Sequence, residues 1–484
     1  MTLARHLMVD FNQMKAFVEE PLVLDRGAGI RVTDTSGRTY IDGLSGVFTS
    51  NLGHGNREII DAVTAQLGRL AFGAPTMATS STALALVDRI LEFAPPPYTT
   101  MKFLSGGSEA TESAMKLARQ YHRQTGQAGR YKILSHYRGY HGGTGHALAA
   151  SGWPTWKIPF EPMAPGFVHV HTPDPDSTPT PVASHDEASS LYLEMVRQTI
   201  EFEGPESVAA IITEPILMSA GIVVPPDSYL RGLRDLCDRH GILLIFDEII
   251  TGFGRTGTWF AAEHSGAWPD IICCGKGVTG GYSPLSIVLM TDRVAAPFWG
   301  EPEERVQFFS GHTYGGNPVA CAAALASIDY IVRHSVLAHV AAMGERLRAL
   351  LEDLRARHPS IRLVRGRGLL QGIVFSDEAQ ATDGHVHGFG GFVAAQARQR
   401  GLLLRASPWF VAIGPPLVTT EAELVEMIGI LDEAIEHVES EVGLLGAGWK
   451  KTEVGLPGAN GHVESEVGLL GADGHVESEV GLGS

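Results

Sequence analysis

The chain has 484 residues, a length that suggests two or three domains rather than one core. Its 44% hydrophobic content and 57 glycines suit a soluble α/β enzyme, and its net charge of −17 argues against nucleic acid, which selects basic surfaces. Its four cysteines lack disulfide-framework or metal-ligand spacing, and no apolar run is long enough to span a bilayer.

Met1 to His6 contains no apolar signal core, so a cytoplasmic protein is expected. Residues 1–50 read as an amino-terminal extension with strands, and Gly29 to Asp42 alternates and turns like a hairpin. From 51 to 324 strands and helices alternate, as in a mostly parallel, doubly wound sheet. Met101–Leu104 reads as a strand and runs into Ser105-Gly106-Gly107-Ser108, after which a helix continues through Arg119. Glycines entering a helix let backbone N–H groups approach an anion, and Ser108 adds a hydroxyl donor. The same stretch also reads as an ordinary cap built on Ser108 and Glu112.

Thr172 to Ser184, rich in Pro, Thr and Asp, reads as a surface loop. Three short apolar runs then each end in a charge. Val208–Thr213 runs into Glu214, Gly241–Phe246 into Asp247, and Ile271–Gly275 into Lys276. Such runs are what parallel strands buried on both faces look like. On the lysine run, Cys273 and Cys274 read as small buried hydrophobes. Residues 325–440 read as a second α/β unit whose final helix carries Leu424, Met427, Ile428, Leu431, Ile435 and Val438 on one stripe. Beyond it, 441–484 is repetitive. The string His-Val-Glu-Ser-Glu-Val-Gly-Leu begins at His437, His462 and His475, and the glycine-rich acidic remainder reads as disordered.

Parallel α/β sheets place their sites at the carboxyl ends of strands, so Glu214, Asp247 and Lys276 should share one rim. A desolvated lysine is a nucleophile suited to a Schiff base, and Asp247 would suit a pyridinium nitrogen. Pyridoxal phosphate (PLP) has that nitrogen, an aldehyde for the lysine and a phosphate for the glycine-rich helix start. Tyr140 is a candidate aromatic plate over its ring. Taken singly, each has a plain structural reading too: a snorkelling lysine, a helix cap, a packing ring.

Together the segments resemble the class III pyridoxal-phosphate aminotransferases. The motifs are Ser-Gly-Gly-Ser-Glu-Ala (105–110), Tyr-His-Gly (140–142), Glu-Pro-Ile (214–216) and Phe-Asp-Glu-Ile-Ile-Thr-Gly-Phe-Gly-Arg-Thr-Gly (246–257). Gly-Lys-Gly-Val-Thr-Gly-Gly-Tyr-Ser-Pro-Leu (275–285), His-Thr-Tyr-Gly-Gly-Asn-Pro (312–318) and Gly-Leu-Leu-Leu-Arg (401–405) complete the series, which runs in order from about His6 to Val438. The resemblance implies a PLP-dependent transferase of fold type I, with a small domain built from both chain ends. It makes Lys276 the Schiff-base lysine and Asp247 the partner of the pyridine nitrogen, organised by Glu214. Tyr140 and Ile249 would take the two ring faces, and Gly107 and Ser108 the phosphate. Thr313 would reach the phosphate of a neighbouring subunit in a homodimer or dimer of dimers, with Phe72 to Pro75 near that interface. Gly106 departs from the family's frequent serine.

The cofactor supplies an electron sink and the protein decides which bond breaks, so decarboxylases and aminomutases of the same scaffold are the alternative. After Pro215 this chain lacks the Gln-Gly-Glu typical of ornithine relatives, and Gly143 replaces an aspartate of biotin-pathway relatives. What remains is similar to the omega-amino-acid–pyruvate branch, which works through a pyridoxamine intermediate. There Arg405 corresponds to an arginine that binds the acceptor carboxylate. Phe48 sits where relatives place an aromatic pocket wall, and Trp409 is a further pocket candidate. The substrates implied are an amine donor and a 2-oxo acid acceptor, pyruvate above all.

Overall fold

The computed structural model describes residues 6–381 and 388–443. Its centre is a seven-stranded sheet of β4 (Tyr98–Leu104), β5 (Lys132–His136), β6 (Phe167–Val170), β7 (Val208–Thr213), β8 (Leu243–Glu248), β9 (Ile271–Cys274) and β10 (Ser286–Thr291). The spatial order is β4-β10-β9-β8-β7-β5-β6. Only β10 runs against its neighbours; the other pairings are parallel. Leu244 and Phe246 of β8 enter one hydrophobic cluster, while Leu243 and Ile245 enter another. Both faces are therefore covered, which is why these strands are unbroken apolar runs with no alternation. Cys273 and Cys274 are buried as expected, one in each cluster.

Two four-stranded sheets complete the fold. One joins β1 (Leu24–Ala28), β2 (Arg31–Asp34) and β3 (Thr39–Asp42) to β13 (Leu402–Leu403). The expected hairpin is β2–β3, and β13 pairs with β3 in parallel through Leu402 and Ile41. The other sheet has the order β11-β12-β15-β14, from β11 (Ile361–Arg367), β12 (Leu370–Phe375), β14 (Arg405–Ser407) and β15 (Phe410–Ile413). One hydrophobic cluster unites Ile30, Ile41 and Ile59 with Leu347, Ile373 and Val411, so both chain ends share a core. The whole predicted stripe of the last helix, Glu421–Glu441, is buried in it. Helix Pro318–Arg333 runs across residue 324.

One local expectation needs correcting. Thr172 to Ser184 forms no helix or strand, but Thr172 and Asp174 are buried. Asp174 accepts twice from Arg365 Nη1, at 3.1 Å to each oxygen, and this ion pair draws the loop inward. The first copy of the repeated string ends the last helix, where fully buried Glu439 accepts from Ser360 N at 3.0 Å and faces His358 Nδ1 at 2.9 Å. The later copies lie outside the described residues. Among the described residues no single helix is long and apolar enough to cross a membrane.

Candidate active site

Strand register brings the predicted carboxylates level. Thr213 pairs with Phe246, so Glu214, directly after β7, lies level with Asp247 near the end of β8. Asp247 in turn pairs with Cys273 of β9. That strand stops at Cys274, and Lys276 begins a short 3-10 turn, Lys276–Thr279, rather than ending the strand itself. Its φ of 42° lies in the left-handed region, which a non-glycine residue occupies only at a cost of order 1 kcal/mol or more.

A cavity of about 170 Å³ opens where these residues meet. Seven predicted residues line it: Gly107, Ser108, Tyr140, Glu214, Asp247, Ile249 and Lys276. Asp247, nearly fully buried, has Oδ2 2.9 Å from His141 Nδ1 and accepts from Ile249 N through Oδ1 at 3.1 Å. Glu214 accepts from Tyr140 N at 3.0 Å and Met218 N at 3.2 Å, which ties the Tyr140 loop to the end of β7. Burial pushes the Glu214 carboxyl up to about 7, against the pull of His141 and helped by the Asp247 charge. Burial also lowers the Lys276 pKa, opposed by Asp247 and Glu214 and reinforced by Arg405. A lysine so depressed is the more readily neutral and nucleophilic.

The anion end is built on helix Gly107–Gln124. Its cap differs from the expected one. Glu109 accepts from Ser105 N at 2.9 Å and from Gly106 N at 3.4 Å. Glu112 instead takes Thr144 Oγ1 at 2.8 Å and His146 N at 2.7 Å, which fastens the next loop. Gly107 and Ser108 line the cavity, and as first-turn residues their amides have no helical acceptors. Ser108 Oγ accepts from Gly143 N at 3.1 Å, and a Cβ on Gly142 would fall 2.5 Å from it, so only glycine allows that approach. A phosphate at these amides, a pyridinium at Asp247 and an aldehyde at Lys276 fit the residues present.

The remaining predicted residues lie apart from the cavity wall. Arg405, at the start of β14, is half-buried and acts electrostatically on Lys276 and Tyr140; among the described residues its side chain has no hydrogen bond or ion pair. Thr313 is exposed on the loop before helix Pro318–Arg333. Phe48 does not line this cavity. The chain turns at Ser45, Gly46 and Phe48 with φ of 51°, 67° and 58°, and the ring is fully buried beside Gly414, behind Ile216 and Ile250. Trp409 is likewise not in the cavity. Its ring stacks under the Arg138 guanidinium, 4.5 Å from the centroid, and packs on Gly221. A larger groove of about 510 Å³ runs past Arg348, Arg365 and Arg367, but Arg365 and Arg367 are already paired with Asp174 and Asp227. Volume alone does not identify the site; the lysine and carboxylates do.

Residues 14–435 match the Aminotransferase class-III family. The chain belongs to the class III aminotransferases. It is 34% identical over 437 residues to a taurine–pyruvate aminotransferase of Bilophila wadsworthia, covering 88% of this chain and 94% of that protein. It is 35% identical over 455 residues to an adenosylmethionine-8-amino-7-oxononanoate aminotransferase of Nitratidesulfovibrio vulgaris, covering 93% and 83%. The structure of the omega transaminase from Pseudomonas jessenii in complex with PMP aligns with a TM-score of 0.88 at 29% identity, over 92% of this chain and 99% of that one. As a class III aminotransferase the chain has the fold type I architecture and depends on PLP.

Sequence reasoning missed part of this aminotransferase's cavity. His141 lay inside the quoted Tyr-His-Gly motif, yet only its tyrosine was read. Ile216 and Thr251 likewise follow Glu214 and Asp247 within quoted motifs.

Proposed function

We propose that this aminotransferase moves the amino group of an amine or ω-amino acid to pyruvate or another 2-oxo acid. The observation that carries this reading is Arg405: a half-buried guanidinium without a hydrogen bond or ion pair among the described residues, within electrostatic reach of Tyr140 and Lys276. Desolvating an arginine without a partner is costly unless a ligand supplies one, and a planar fork suits a carboxylate.

PLP supplies the electron sink. Lys276 holds it, and Nζ, its basicity lowered by burial, carries the proton to and from the donor carbon. Asp247, braced by His141, would meet the pyridine nitrogen; Tyr140 and Ile249 would flank the ring, and Gly107 and Ser108 would hold the phosphate. Thr313 of a second copy reaches the same phosphate in a homodimer. Supporting that dimer, exposed Phe72 and Tyr314 meet edge-on at 5.7 Å beside it, an apolar patch suited to a partner. We assign residues 51–324 to the large, doubly wound PLP-binding unit, and 1–50 with 325–440 to a smaller one, on the strength of the shared core and the β3–β13 pairing.

Alanine formation from pyruvate across a panel of amines, taurine included, tests the reading. Transfer from amines lacking an α-carboxylate is expected. Turnover without any acceptor would instead mean a decarboxylase or aminomutase.

A further inference from the structure

We propose that the amino-terminal segment around Asp10 and Phe11 forms the outer part of the donor site and selects amines that carry a second cationic group, such as short diamines. This rests on the reading of the Lys276 cavity as the donor site. Tyr140 lines that cavity, and its ring meets Trp156 edge-on at 5.3 Å. Trp156 in turn meets Phe11 edge-on at 5.9 Å. The stack of three rings leads from the cavity wall to residues 10 and 11, which would otherwise be a loose end: Phe11 is 77% exposed and anchored by that contact.

Asp10 sits in a small turn. Asn12 N donates to Val9 O at 3.3 Å, and Asn12 Nδ2 donates to the Asp10 carbonyl at 2.8 Å. The carboxylate itself is exposed and has no hydrogen bond or ion pair among the described residues. It is still near enough for its charge to act on the Tyr140 hydroxyl, whose pKa burial raises and Arg405 opposes, with Asp247 and Asp10 adding to the rise. A free carboxylate next in the chain to one ring of that series is the chemistry that recognises an ammonium group.

Two opposite charges thus bear on one tyrosine. Arg405 serves the acceptor's carboxylate, and Asp10 serves the far ammonium of a diamine whose near amine reacts at Lys276. The net charge of −17 favours the same substrates, since a strongly negative protein concentrates cations at its surface.

The test compares tetramethylenediamine with pentylamine, of equal length but lacking the second charge, as donors to pyruvate with holoenzyme. The kcat/KM ratio of diamine to monoamine should favour the diamine in the native protein. In Asp10→Asn it should fall roughly 5-fold, the scale of a solvent-facing ion pair. Added salt should shrink the native ratio in the same direction. Phe11→Ala, which unseats the turn, should lower the ratio too, and Phe11→Tyr should restore it. Alanine formed from both amines with a ratio unmoved by Asp10→Asn and by salt overturns the inference alone. Alanine from neither amine overturns the transaminase reading and this inference with it.

Discussion

Asn51 lies against Gly277 so closely that a Cβ on residue 277 would fall 2.0 Å from its Nδ2. Gly277 follows Lys276 directly, so the amide sets how far the lysine's turn can move. The amide is fixed in its turn by Arg255, whose Nη2 donates to Asn51 Oδ1 and, at 2.9 Å, to Ser45 Oγ. Arg255 Nη1 reaches Leu369 O at 3.0 Å and Pro415 O at 2.6 Å. One fully buried guanidinium thereby links three stretches of chain behind the lysine.

Gly277→Ala should therefore overpack this contact, at a cost of about 1–3 kcal/mol, and lower both melting temperature and turnover. Asn51→Ala in the same chain removes the clash, so the double variant should be more stable than the two single losses sum to. Additive losses in thermal melts would mean that the glycine is not held by Asn51.

Reduction of holoenzyme with borohydride, then peptide mapping, should place the pyridoxyl group on Lys276. Its half-buried position, under the charges of Asp247 and Glu214, is the ground. A label on another lysine overturns the assignment. Lys276→Ala should abolish turnover while the fold stays intact, since it removes a desolvated amine and no hydrogen bond among the described residues.

Arg405→Ala should damage the half-reaction with pyruvate by roughly 30- to 1,000-fold, the cost of about 2–4 kcal/mol for losing a charged pair in a partly desolvated site. The half-reaction with an uncharged-tail amine should change far less. Arg405→Lys should rescue only in part, because an ammonium lacks the planar fork. Single-turnover rates of each half check this, and equal losses in both would make Arg405 structural.

The carboxyls of Glu214 and Glu248 are both held at about 7 by burial, above their ordinary 4.5. The folded protein then binds these protons more tightly than the unfolded chain. The stability they contribute is complete below about pH 4.5 and is lost as pH rises through about 7, by on the order of 3 kcal/mol each at most. Melting temperatures of the cofactor-free protein should fall between about pH 5 and pH 8, and Glu214→Gln should flatten part of that fall. An unchanged slope in the variant would show that Glu214 is ionised throughout.

What could be read from the amino-acid order follows from burial. β7, β8 and β9 are covered on both faces, so their apolar runs and terminal charges stand out in the sequence. Phe48 did not, because its direction depends on a turn with positive φ, and an aromatic beside such a turn has two faces to choose from. The contact of Trp409 with Arg138 was not legible, because the two are remote in sequence. The same holds for Arg365 and Asp174, 191 residues apart. The cap on helix Gly107–Gln124 was misread by three residues, because the helix begins at Gly107, which puts Glu109 and not Glu112 in its first turn.

The parallel pairing of β3 with β13 has a consequence for biosynthesis. Arg38 and Gln399, which are bonded beside that pairing, stand 361 residues apart. A ribosome has thus made the entire PLP-binding sheet before the hairpin's last neighbour emerges. The amino-terminal strands must wait, unpaired on one edge, through most of translation, and loop closure of that length is slow. The growing chain exposes that edge to other chains, so the smaller unit is the part whose assembly a chaperone would have most reason to guard.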